Sequence, residues 1–218
     1  MAPSAKTPTP KTPATITPIV ILVTKLKGGS GATTLTRELA TYAASEGRNT
    51  AVIDLDGQGS LTSWWQRRAV GIPPALLQID IADVVQKLPA IRAKYDFVVI
   101  DTPPSTHPTI ASIAAACDRV LIPTHATPDD LDTIGSVIRS LNSVGSSHHG
   151  QAFVLTAISG KRSIDATLAE EVLSKQGPVI GRTTNRNAYY RPVYEGKTGT
   201  ETDATVRSEI RAIYKSII

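Results

Sequence analysis

From Ile19 onward the chain is punctuated by continuous apolar runs of strand length: Ile19–Thr24, Thr50–Leu55, Phe97–Ile100, Arg119–Pro123, Phe153–Ile158 and Pro178–Gly181. A strand with one wet face would alternate apolar and polar residues. Continuous runs are expected instead where both faces of a sheet are covered. The intervals between them are of helix length, most clearly Thr33–Glu46, Pro108–Ala116, Asp129–Val144 and Ile164–Gln176. Alternation repeated this often predicts an α/β fold, a doubly wound, mostly parallel sheet of about six to eight strands with helices on both faces. A final helix is predicted over Thr202–Ile218, with Val206, Ile210, Ile213, Tyr214 and Ile217 on one face and Arg207, Arg211 and Lys215 elsewhere. Such a helix can lie on a membrane. Packing of its apolar stripe on the sheet is the plainer expectation, and we adopt it.

Before Ile19 the pattern stops. Residues 1–18 contain five prolines, five threonines, two lysines and no acid. So few large apolar side chains cannot offset ordering entropy, and a disordered, weakly basic tail is expected. It is either a plain leader or linker, or an arm that brushes nucleic acid. Residues 19–218 are expected to form a single domain; at 218 residues and 41% hydrophobic content the chain can build a full core. A single cysteine, Cys117, excludes a disulfide framework and a cysteine-based zinc site. No apolar run approaches the ~20 residues of a membrane span, and the opening segment lacks the apolar core of a secretory signal. A cytoplasmic location is therefore expected. The formal charge of +4 permits an anionic partner without demanding one.

The candidate chemistry begins where the first strand runs into Lys25-Leu-Lys-Gly-Gly-Ser-Gly-Ala-Thr-Thr34, followed at once by a helix. Glycines after a buried strand let the backbone turn tightly and aim successive N–H groups into one concavity. The helix N-terminus adds partial positive charge, and the Thr33 hydroxyl is placed to coordinate Mg²⁺. Two more strands end in carboxylates. Val52-Ile-Asp-Leu-Asp-Gly-Gln-Gly-Ser60 brings Asp54 and Asp56 towards one sheet edge, and Tyr95-Asp-Phe-Val-Val-Ile-Asp-Thr-Pro-Pro-Ser105 ends its apolar run in Asp101. A carboxylate at the end of a central strand, beside a phosphate loop, is where a nucleotide's Mg²⁺ is held. A helix or loop cap is the plain alternative for Asp54 alone, but it does not account for the whole run.

In this order the motifs resemble those of the ParA/MinD family of P-loop ATPases, whose loop reads K-G-G-x-G-K-[ST]-T. Lys27, Gly28, Gly29, Gly31, Thr33 and Thr34 match it, Ser30 fills its free position, and Ala32 stands where the family carries the loop lysine. The resemblance spans Ile19 to the C-terminus. It is closest to small ParF-like plasmid partition ATPases, through Val120–Asp132 and through the spacing of Arg186, Gly196 and Glu201. It implies the P-loop NTPase fold, with ATP or ADP held by residues 28–34 and Mg²⁺ held near Thr33, Asp54 and Asp101. It also implies that Asp56 orients the attacking water, that Gln58 belongs to the switch region, and that Lys27 reaches across a homodimer to the partner's phosphates. The implied biology is ATP-dependent dimerisation and sequence-independent DNA binding on the nucleoid for plasmid or chromosome segregation, with hydrolysis stimulated by a ParB-like centromere-binding protein.

Two positions depart from the family. Gly57 replaces a proline, and Ala32 removes a charge-assisted phosphate contact of roughly 1.5–3 kcal/mol, or roughly 10- to 150-fold in affinity. Hydrolysis should suffer more, because charge develops on the β–γ bridge only during transfer. Nucleotide chemistry is therefore expected to be impaired, whether Ala32 is an engineered change or a natural loss; the intact remainder of the motifs favours the former. Arg182, Arg186 and Arg191, with no acid between them, are the candidate DNA contacts, a solvated basic face being the plain alternative. His125 is expected to be structural, and His148 and His149 to lie in a surface loop. A MinD-like ATPase that cycles on membranes through its C-terminal helix and a nucleotide-inert scaffold are the competing functions. The short chain and a pI of 9.2 favour DNA over membrane.

Overall fold

The apolar runs pair side by side in one parallel sheet. The structure, a computed structural model, describes residues 17–105, 107–143, 150–160 and 163–218. Its strands are β1 (Ile19–Lys25), β2 (Thr50–Asp54), β3 (Ala75–Leu77), β4 (Phe97–Pro104), β5 (Arg119–Thr124), β6 (Gln151–Ile158) and β7 (Val179–Thr184). Its α-helices are α1 (Ala32–Ser45), α2 (Ser60–Gln66), α3 (Val84–Lys94), α4 (Pro108–Ala116), α5 (Pro128–Asn142), α6 (Ile164–Leu173), α7 (Gly199–Thr202) and α8 (Ala204–Ile217). The strand order is β3-β2-β4-β1-β5-β6-β7, and every pairing is parallel.

The doubly wound arrangement explains the unbroken apolar runs. On β1, Val20 and Leu22 join a core with α3, α4, α5 and α6, while Ile21 and Val23 join one with α1, α2 and α8 on the opposite face. Both faces are dry, so neither set of alternating residues is free to be polar.

Several boundaries differ from the sequence expectation. β4 continues past Ile100 to Pro104, because Asp101 is still paired on both sides, to Val23 of β1 and Asp54 of β2. β7 likewise runs on to Thr184. β3, α2 and α3 were not marked by strong periodicity; β3 is three residues long and α3 carries Pro89 inside it. Residues 1–16 of the expected tail, Val144, His148 and His149 lie outside the described residues.

The helix predicted over Thr202–Ile218 is α8, which begins at Ala204 because a separate short helix, α7, ends at Thr202. Thr198 and Glu201 form a capping box on the short α7, and Asp203 then starts α8 by accepting from the N–H groups of Thr205 and Val206 at 2.8 and 2.9 Å. The apolar stripe Val206, Ile210, Ile213, Tyr214 and Ile217 is buried, none of it more than 4% exposed. α8 comes so close to β7 that a Cβ on Gly181 would sit 2.4 Å from Cγ1 of Ile213. On this packing, Ile210→Ala should cost about 2–5 kcal/mol of unfolding free energy. Lys215→Ala, on the exposed face of the same helix, should change it by no more than about 0.5 kcal/mol. Urea denaturation of both variants, with unchanged slope, measures the difference.

Candidate functional site

Because all strands are parallel, their carboxyl ends emerge on one edge of the sheet, where ligands bind in open α/β folds. β1 passes there into the glycine turn and α1. Gly29 and Gly31 both have φ of +86°, a conformation costly for any side chain. A Cβ on Gly31 would also press on the Thr156 side chain at 3.3 Å. Thr156 fixes the turn from β6, its hydroxyl donating to the Ser30 carbonyl at 2.8 Å. Gly31 occupies the N-cap of α1 and no side chain caps the helix. Its first-turn amides are left to an anion or water.

Next to this turn the Thr33 hydroxyl donates to Oδ2 of Asp101 at 2.6 Å. Asp101 is completely buried, and its Oδ1 has no hydrogen-bond partner. Burial pushes its carboxyl up to about 6, against the pull of Lys25 and Thr33 and with the help of Asp54 and Asp56. Lys25 Nζ, at the end of β1, lies 3.2 Å from Oδ2 of Asp56 and 3.6 Å from Oδ1 of Asp101. Its side chain is only 7% exposed.

Asp54 is otherwise engaged. Its Oδ2 accepts from both the N–H and the hydroxyl of Thr62 at 2.8 Å, and its Oδ1 from the N–H of Asp56 at 3.2 Å. In this structure it caps the first turn of α2. A buried carboxylate oxygen without a donor, beside a hydroxyl, suits a hard cation. Among the described residues no group of three or more His, Cys, Asp or Glu is arranged to hold a metal alone. Mg²⁺ takes one or two protein oxygens and completes its shell with water and phosphate.

A cleft of about 280 Å³ runs from the turn to the ends of β6 and β7. Gly29, Gly31, Ala32, Thr33 and Thr34 line it together with Lys25, Thr156, Ala157, Thr184, Tyr189 and Tyr190. Ala157 is the one non-glycine residue with positive φ among those described, at +53°. Strain of this kind collects at ligand sites. Lys27 points elsewhere: it pairs with Asp130 at 3.1 Å and its side chain is 53% exposed. Burial works against the Asp130 carboxylate, but hydrogen bonds from Thr127, Lys27 and His125 outweigh it and hold it below the usual range. His125, 3.1 Å from Asp130, thus has the structural partner expected of it, and it also borders the cleft.

Residues 21–193 match the model of the CobQ/CobB/MinD/ParA nucleotide-binding domain. The chain belongs to this family. Maintenance of carboxysome distribution protein A of Halothiobacillus neapolitanus is 30% identical over 207 residues, 91% of this chain and 95% of that protein. The chromosome-partitioning ATPase Soj of Thermus thermophilus is 29% identical over 153 residues, 57% of this chain and 61% of that one. Among solved structures, the septum site-determining protein MinD of Pyrococcus horikoshii complexed with Mg-ADP superposes with a TM-score of 0.71 at 16% identity, covering 91% of this chain and 95% of that one.

Within this MinD/ParA fold, Thr33, Asp54, Asp56 and Asp101 come together with the turn, and none of the three candidate arginines is among the residues that line the cleft. Arg182 is paired with Glu170 of α6, so the cluster that lacks an acid in sequence gains one in space. Arg186 donates from Nε to the Thr184 hydroxyl at 2.8 Å, and Arg191 is exposed with no ion pair among the described residues. Three residues not singled out by the sequence reading support the site. Lys25 is one. The others are Arg37, which donates to the Tyr189 carbonyl at 2.9 Å, and Glu38, whose carboxylate accepts from the N–H groups of Gly199 and Thr200. Burial raises the Glu38 carboxyl, opposed by those bonds. Adjacent charges inside the buried span of a helix were the available signal.

The capping role of Asp54 is testable. Asp54→Ala should lower stability by about 0.5–2 kcal/mol, the cost of a lost cap, and leave any Mg²⁺ dependence of ADP binding in place. Isothermal titration with and without Mg²⁺ reads the second quantity, and its loss would return Asp54 to the metal shell.

Proposed function

We propose that this chain is a ParA-type positioning ATPase, which binds ATP with Mg²⁺, dimerises around it and then binds DNA without sequence preference. The observation that carries this reading is the hydrogen bond from Thr33 to the buried Asp101, whose other carboxylate oxygen accepts no hydrogen bond, beside an uncapped helix N-terminus on a glycine turn. The amides of residues 29–34 would cradle the phosphates, and Thr33 and Asp101 would hold the metal. Mg²⁺, when bound, supplies neutralising charge at the β–γ bridge. Asp56, its side chain 14% exposed, is the carboxylate suited to orient water. Lys27, half exposed though paired with the largely buried Asp130, is the residue suited to reach a second subunit. Hydrolysis would be triggered by a ParB-like partner, and the cargo class extends beyond plasmids and chromosomes, since one relative is named for carboxysome distribution.

One observation supports DNA over a membrane surface. A membrane anchor needs a free apolar face, and that of α8 is packed on the sheet. No helix of the described residues is long and apolar enough to cross a membrane. Of the three arginines, Arg186 and Arg191 are the better phosphate contacts, because Arg182 already has Glu170.

Co-sedimentation with DNA of unrelated sequence and with anionic liposomes, each with and without Mg-ATP, tests the reading. Mg-ATP should promote dimers and DNA binding, with affinity falling steeply between low and physiological salt. Arg186→Ala and Arg191→Ala should each flatten the salt slope by about one unit, and Arg182→Ala by less. Liposome binding without DNA binding would favour the membrane-cycling reading, and indifference to nucleotide the scaffold reading.

A further inference from the structure

The loop lysine is missing at position 32, yet a lysine does line the same cleft. Lys25 is the one Lys or Arg among the residues that line it. It reaches the cleft from the end of β1 rather than from the start of α1. Its side chain is only 7% exposed, and a lysine is rarely buried to this degree unless it is paired. The reason visible in the structure is electrostatic. Asp56 and Asp101 flank its ammonium at 3.2 and 3.6 Å, and Asp54 pairs with Asp101 on the neighbouring strand.

These contacts leave the ammonium with capacity. It has three N–H donors, and only the bond to Asp56 is of hydrogen-bonding length. Asp101 binds the Thr33 hydroxyl through its other oxygen, so the ammonium sits at the same end of the cleft as Thr33. Ala32 is among the residues that line the cleft too. Position 32 therefore contributes no charge where a polyphosphate would need it, and Lys25 does.

We propose that Lys25 replaces the loop lysine, donating to the terminal phosphates of a nucleoside di- or triphosphate while Asp56 and Asp101 hold it in place. This rests on the nucleotide reading given above and changes its consequence. Ala32 then does not by itself disable the site, because the charge comes from the strand before the turn.

The test is a titration of four proteins, the present chain, Lys25→Met, Ala32→Lys and the double variant, with ATP and with AMP in Mg²⁺. Lys25→Met should weaken ATP by about 10- to 150-fold, one charge-assisted contact, and leave AMP nearly unchanged. Adding Ala32→Lys to Lys25→Met should restore ATP affinity, whereas Ala32→Lys alone should gain little. Equal losses for ATP and AMP, or no loss for either, would overturn the proposal and leave the nucleotide site standing. Failure of all four proteins to bind ATP would instead overturn the nucleotide reading, and the proposal with it.

A measurement on the unaltered chain guards against a Lys25→Met protein that does not fold. An acyl-phosphate derivative of ATP transfers its acyl group to the amine that lies against its phosphates, releasing ATP. Peptide mass spectrometry should find the acyl group on Lys25, with labelling suppressed by excess ATP. Labelling of Lys27 alone, or of neither lysine, would overturn the proposal.

Discussion

The hydrogen bond from Thr33 to Asp101 ties the first turn of α1 to the centre of the sheet, and the rest of the site is arranged around it. Asp101 lies on β4, between β1 and β2, so its carboxylate is flanked by what both neighbours carry at that level. β1 contributes Lys25 and the turn; β2 contributes Asp54 and then Asp56. A parallel sheet makes this convergence unavoidable, because all three strands end on the same edge. Antiparallel neighbours would have sent the glycine turn and one of the acids to opposite ends.

A second set of buried polar contacts holds α1 itself. Glu38 caps α7 from inside the core, and Arg37 grips the Tyr189 carbonyl beside the cleft. Buried charges are tolerated only when paired or hydrogen-bonded. Here they join the helix that follows the phosphate turn to the segment that supplies Tyr189 and Tyr190 to the cleft. The two ends of the cleft are thus braced through one helix rather than through flexible loops.

Much of this was legible in the sequence, and what was not has physical causes. The apolar runs of β1, β2, β4, β5 and β6 and the α8 stripe are local patterns, written in consecutive residues. The glycine turn and Asp101 are local too. Glu38 could not be read this way, since its partners Gly199 and Thr200 lie 161 and 162 residues later. Arg182 looked unaccompanied because Glu170 is brought beside it only by the α6–β7 connection. Asp54 satisfied the family spacing and the plain capping chemistry alike, and in this structure its oxygens are occupied by Thr62 and Asp56. Lys25 read only as the first residue of the glycine-rich run, because nothing in its neighbours announces that Asp101 of β4 and Asp56 just beyond β2 will flank it.

The burial of Lys25 has a consequence for the entropy of binding. A lysine on an exposed loop has roughly 2 kcal/mol of rotamer freedom to lose when a ligand fixes it. Lys25 is immobilised by its strand and two carboxylates as the chain folds, so that ordering belongs to folding rather than to association. An anion entering this cleft meets a cation that is already still.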